Sequence, residues 1–225
     1  MMMMMIRMVM VVMAVVGVAA GVRHESGYHE ECITRSFTQT PISEGAELPS
    51  SLHLHTYKNN ALFHAGLDSK VAGSRVLLLG VPFGMETHAL IQVLGYVKAA
   101  RTVRALGIER IHVIISGNIH EAEAVYHSDE LNGEPIHEIL DVWADSDGAI
   151  GRALGLVYDA RPDGMGIVAE RYALLVDGGK VVHMVSEPFH SFAKTSHEAL
   201  LPAIATRIGQ GDFPPSYPPS SHDEL

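Results

Sequence analysis

Cysteine is almost missing from this chain: one residue, Cys32, in 225. A single thiol excludes an intramolecular disulfide framework and leaves only a free thiol or a bond to another chain. Basic residues are also scarce, 16 against 26 acidic, for a formal net charge of −10. That balance argues against nucleic acid or an anionic membrane surface as a partner. No GxGxxG or Walker-type loop is present, so a nucleotide site has no support, and no HExxH or Cys/His cluster marks a metal centre. No cofactor is expected. Asn-x-Ser/Thr is absent, and no internal repeat occurs.

What is present begins with two terminal signals. Residues 1–20 combine Arg7, an apolar run over 8–16 and small residues at Val18, Ala19 and Ala20. This is the pattern of a secretory signal peptide, with an uncleaved anchor as the alternative. The chain ends His222-Asp223-Glu224-Leu225, an endoplasmic-reticulum retrieval address read by a receptor. Together they predict residence in that lumen, with no membrane span after cleavage. Losing Arg7 would leave 15 basic against 26 acidic residues, a net −11. The expected organisation is a leader over 1–20, a tail over 21–41, one domain over 42–210, and a Pro/Ser-rich spacer with its address over 211–225.

The domain reads as α/β. Leu48, Leu52 and Leu54 flank a short extended segment, and residues 76–81 form an apolar run suited to a buried strand. Helical spacing follows over 87–106, closed by Gly107. A strand is predicted over 111–115, a helix over 121–131, a strand over 140–143 and a helical turn over 148–154. Asp177-Gly178-Gly179 between apolar runs at 172–176 and 180–185 predicts a hairpin. A last helix spans 197–208, bent at Pro202.

Several short matches in one order resemble the peroxiredoxins, specifically their type-5 redoxin branch, from about residue 42 to 200. Glu44-Gly45-Ala46-Glu47-Leu48-Pro49 is similar to the family's opening segment, and residues 76–82 to the strand and loop ending in Pro82. Gly95-Tyr96-Val97 resembles a motif on the next helix. Asp145-Ser146-Asp147-Gly148, the run from Arg171 to Gly178, and Val185-Ser186-Glu187-Pro188 resemble three later ones. The resemblance implies a thioredoxin-like fold with a mixed central sheet flanked by helices. It also implies a homodimer, since type-5 relatives commonly pair through loops around the active site.

The departure from the family lies at the reacting atom. Its loop runs Pro, three residues, Thr, two residues, Cys. Counting from Pro82 puts Glu86 at the Thr position and Ala89 at the Cys position. Counting back from Gly95 puts His88 there instead. Neither register supplies the cysteine, and the resolving cysteine that many type-5 members carry near the C-terminus is missing too. Of the family's active-site set, Pro82 and Arg171 carry over.

Peroxide reduction of this kind needs a thiolate, stabilised at a helix N-terminus and by a nearby arginine. Histidine or alanine cannot form a sulfenic acid. A buried guanidinium needs an anion, so Glu86 is expected to pair with Arg171 and plug the former peroxide pocket. The alternative is an ordinary first-turn acid on a solvated face. His88 is a second candidate, as a general base or ligand or as a satisfied polar residue. His53 and His55 share one strand face and are read as solvent-facing.

Three functions remain in competition. The favoured one is a non-catalytic redoxin-fold scaffold for binding or redox homeostasis. The second is a thiol peroxidase that reduces hydrogen peroxide or alkyl hydroperoxides with Cys32. The third is a partner of lumenal folding enzymes through a mixed disulfide at Cys32. Flanking acids, Glu30 and Glu31, disfavour the thiolate there.

Overall fold

The computed structural model describes residues 40–58, 61–84, 86–128, 139–161 and 164–212. The leader, Cys32 and the terminal tetrapeptide lie outside them. So do the tail over 21–41, apart from 40 and 41, and the spacer over 211–225, apart from 211 and 212. Among the described residues the elements are β1 (His53–Lys58), β2 (Ala61–Gly66), α1 (Leu67–Val71), β3 (Arg75–Val81), α2 (Thr87–Lys98), α3 (Ala100–Ala105), β4 (Arg110–Ile115), α4 (Ile119–Tyr126), β5 (Leu140–Ala144), α5 (Ala149–Ala153), β6 (Val157–Ala160), β7 (Gly166–Ala169), β8 (Arg171–Asp177), β9 (Lys180–Glu187) and α6 (His197–Gly209). No helix among them is long and apolar enough to cross a membrane.

Seven strands form one mixed sheet in the order β2-β1-β5-β4-β3-β8-β9, and β6 and β7 make a separate ribbon. The three central strands, β3, β4 and β5, run parallel. Such strands are covered on both faces and therefore lack polar alternation. All seven residues of β3 are buried. Leu77, Leu79 and Val81 enter the cluster with α2, α4 and α6, while Val76 and Leu78 enter the opposite one with α1 and Trp143. Each fully buried aliphatic side chain is worth about 1.5–3 kcal/mol over an exposed one.

β8 lies antiparallel to β3, with Gly80 opposite Tyr172 and Arg75 opposite Asp177. The second pairing brings two charges together in the interior. Arg75 donates from Nε and Nη2 to Asp177 Oδ2 at 3.1 and 2.6 Å, both side chains being nearly inaccessible. The β8–β9 turn needs two left-handed residues and has them in Gly178 (φ 59°) and Gly179 (φ 93°). Past the turn, Leu175 faces His183 but Val176 faces Val181, a one-residue irregularity that re-aims the rest of β9.

The structure corrects the sequence reading in four places. The single helix expected over 87–106 is two, α2 and α3, separated at Ala99 (φ −86°, ψ 12°). No breaker residue marks that point. The helix expected from 121 begins earlier, at Ile119, because Asn118 caps it: its side chain accepts from the His120 and Glu121 amides and donates to Glu121 Oε1. It ends at Tyr126, short of the expected 131. Finally, β2, α1 and the β6–β7 ribbon were not expected. β2 is the outermost strand, and its first four residues are exposed on both faces, so no alternation announces it. The last helix runs on through Pro202, where Thr206 Oγ1 donates to the Pro202 carbonyl.

Candidate active site

Three segments converge where β3 gives way to α2. Pro82 is buried at the end of β3, Glu86 is the residue capping α2, and Arg171 opens β8. Arg171 has no exposed surface, and its alternation places it on the same sheet face as Ala173 and Leu175, under α2. Its Nη2 donates to Glu86 Oε2 at 2.9 Å and to the Phe189 carbonyl at 3.1 Å. Its Nη1 donates to Gln92 Oε1 at 2.7 Å, and its Nε to the Ser191 carbonyl at 3.0 Å. Four of the five guanidinium donors are thereby engaged. Burial pulls the Arg171 pKa below its ordinary value, while the Glu86 and Glu187 carboxylates oppose that shift.

Glu86 also reaches outward. Its Oε1 lies 2.6 Å from His88 Nδ1, and its side chain is about a third exposed. His88 is half exposed and stacks on Phe192 at a 6.3 Å centroid distance, while Phe192 also lies under the Arg171 guanidinium. The two registers of the loop can therefore be judged by geometry. Glu86, Ala89 and Gln92 follow at i, i+3 and i+6, one helix face. The outer two touch Arg171, and Ala89 between them is buried. His88 is half exposed. It is Ala89, not His88, that occupies the arginine face of the first turn.

Residues that sequence reasoning did not assign complete the site. Gln92 is fully buried, and its amide also donates to the Thr195 carbonyl at 3.4 Å. A lone amide among Ile91, Val93 and Leu94, three residues beyond Ala89, was the available signal. Glu187, quoted above only as part of a motif, organises the loop that follows β9. Its carboxylate accepts from the Ala193, Lys194 and Thr195 amides and from the Ser191 and Thr195 hydroxyls. Burial alone would raise its pKa, but these hydrogen bonds bring it down to about 2. The loop so held supplies both carbonyls on Arg171 and an aromatic rim, in which Phe189 meets Phe83 edge-on at 5.8 Å and lies 5.1 Å from Tyr158.

No scan of protein-family models returns a match. Among curated proteins, peroxiredoxin-2E of the Arabidopsis thaliana chloroplast is 32% identical over 180 residues, covering 76% of this chain and 74% of that one. The chain belongs to the peroxiredoxin family. Arabidopsis peroxiredoxin-2B agrees, at 27% identity over 165 residues and 99% of its own length. Among solved structures, reduced Prx3 of Vibrio vulnificus in complex with hydrogen peroxide superposes with a TM-score of 0.63 at 27% identity, covering 72% of this chain and 99% of that one. Peroxiredoxin 5 of Alvinella pompejana, at 19% identity and a TM-score of 0.58, shares the fold. The mixed sheet flanked by helices is thus the thioredoxin-like fold of the peroxiredoxins.

Within that family frame, the described residues include no cysteine. The first turn of α2 offers a positive dipole end, the setting that favours an anion. Here the anion at hand is the Glu86 carboxylate.

Proposed function

We propose that this chain is a degenerate member of the type-5 branch, a redoxin-fold scaffold that lacks the peroxidatic cysteine and does not run the family's thiol peroxidase chemistry. One observation carries the reading: four of the five donors of the buried Arg171 guanidinium are already taken by Glu86, Gln92 and two loop carbonyls. In a working site that guanidinium lowers a thiol's pKa and holds the peroxide oxygens. Here the guanidinium is held by the Glu86 carboxylate. That carboxylate neutralises the arginine and supplies no thiol for hydrogen peroxide to oxidise.

The leader over 1–20 and His222-Asp223-Glu224-Leu225 support residence in the endoplasmic-reticulum lumen through a retrieval receptor. There the scaffold serves redox homeostasis by binding, and the aromatic rim around Arg171 suits pairing with a second copy. Cys32 is available for a mixed disulfide with a lumenal partner. Secretion of a chain lacking its last four residues, against retention of the whole chain, tests the location.

The activity is tested by following hydrogen peroxide consumption with a thiol reductant, for the wild type and for Cys32→Ser. Both should match the background. Turnover that disappears with Cys32→Ser would instead establish a peroxidase working through the N-terminal thiol.

A further inference from the structure

We propose a transition-metal site on the β1–β2 hairpin, formed by His55 and His64. The two residues are direct cross-strand partners in the antiparallel register, His55 opposite His64. Side chains so placed lie on the same face, with Cβ atoms about 4.5–5.5 Å apart. That spacing lets two imidazoles converge on one ion. Both side chains are exposed. Neighbouring positions fit the assignment of faces: Leu54 and Thr56, which alternate with His55, are buried, so the imidazole points away from that core.

The chemistry of the donors fixes the class of ion. Neutral imidazole is a common ligand for Zn(II), Cu(II) and Ni(II) and a poor one for Mg(II) or Ca(II), which demand oxygen. No group of three or more His, Cys, Asp or Glu side chains among the described residues is arranged to hold a metal. The pair therefore supplies two ligands and leaves the remaining positions to water or to an outside donor, an open site and not a closed structural one. His53 shares the face but stands directly opposite Gly66 and not an imidazole. It serves as the internal control.

This site is independent of the Arg171 region and does not rest on the reading of its chemistry. It is tested by calorimetric titration of the metal-free full chain with Zn(II), for the wild type, His55→Asn, His64→Asn, the double variant and His53→Asn. Each single loss should weaken binding by about tenfold or more, as expected for removing a direct ligand, and the double variant should be little worse than either single one. His53→Asn should change it by less than about threefold. The positions are exposed, so unchanged circular dichroism certifies the fold of each variant. As a second readout, Cu(II) bound to the wild type should show two equatorial nitrogens by electron paramagnetic resonance, and one in each single variant. Wild-type affinity in either single variant, equal losses for His53→Asn, or the absence of a detectable wild-type site overturns the proposal.

Discussion

Glu86 bears the charge balance of the whole region, since its two carboxylate oxygens serve different neighbours, Arg171 inside and His88 outside. Removing it as Glu86→Ala leaves a buried guanidinium without its anion. A fully buried pair broken this way costs about 3–5 kcal/mol, and the partial exposure of Glu86 lowers that to about 1–3 kcal/mol. Urea denaturation should show this loss, and Glu86→Gln should recover part of it by keeping an acceptor. Glu187 works differently. With its folded-state pKa at about 2, below the ordinary 4.5, its stabilisation is complete above pH 4.5 and drains away as pH falls toward 2. The full effect is roughly 3 kcal/mol. Denaturation midpoints followed from pH 6 to about 2.5 should fall less steeply for Glu187→Gln than for the wild type. Equal slopes would remove Glu187 as the fastening point of its loop.

Helices α2 and α6 approach so closely at Gly95 that an added Cβ would sit 2.3 Å from His197 Nδ1. The same ring lies edge-on to Tyr96. Gly95→Ala should therefore destabilise by about 1–3 kcal/mol despite alanine's better helix propensity. In a His197→Ala background the sign should reverse, to a gain of up to about 1 kcal/mol. A thermal-melt double-mutant cycle checks both signs. At this level the sequence was informative where burial is two-sided or the turn chemistry explicit: β3, β4, β8 and the Gly178-Gly179 hairpin follow from apolar runs and left-handed glycines. It was silent on β2, whose exposed edge carries no alternation. Missing β2 also hid the opposition of His55 and His64, because a cross-strand pair exists only once both strands are known. The candidate site was half legible. Pro82 and Arg171 were named from the family resemblance and Glu86 from its charge at the helix start, whereas Gln92 and Glu187 act through contacts 79 and 8 residues away in sequence, with Arg171 and Thr195.

Across the whole molecule, a peroxiredoxin frame has been kept while the atom that defines its chemistry is not in the described fold. The frame is a sheet with two packed faces, and the Arg171 region sits where β3 ends and β8 begins. Charged pairs hold both ends of β8: Arg75 with Asp177 at one end, and Arg171 with Glu86 at the other. The proposed loss of peroxidase chemistry rests on the pairing of Arg171 with Glu86 as much as on the missing thiol. Restoring reactivity should accordingly need two changes. Ala89→Cys alone places a thiol beside a neutralised arginine, and Ala89→Cys with Glu86→Thr frees the guanidinium to stabilise the thiolate.

The most direct measurement is the rate at which hydrogen peroxide oxidises Cys32 in the purified chain, followed by intact mass after millisecond-to-second pulses. The account predicts oxidation no faster than that of free cysteine under the same conditions, with the Ala89→Cys/Glu86→Thr variant acquiring a distinctly faster thiol. Oxidation of Cys32 orders of magnitude faster than free cysteine, and slowed by Arg171→Met, would contradict it.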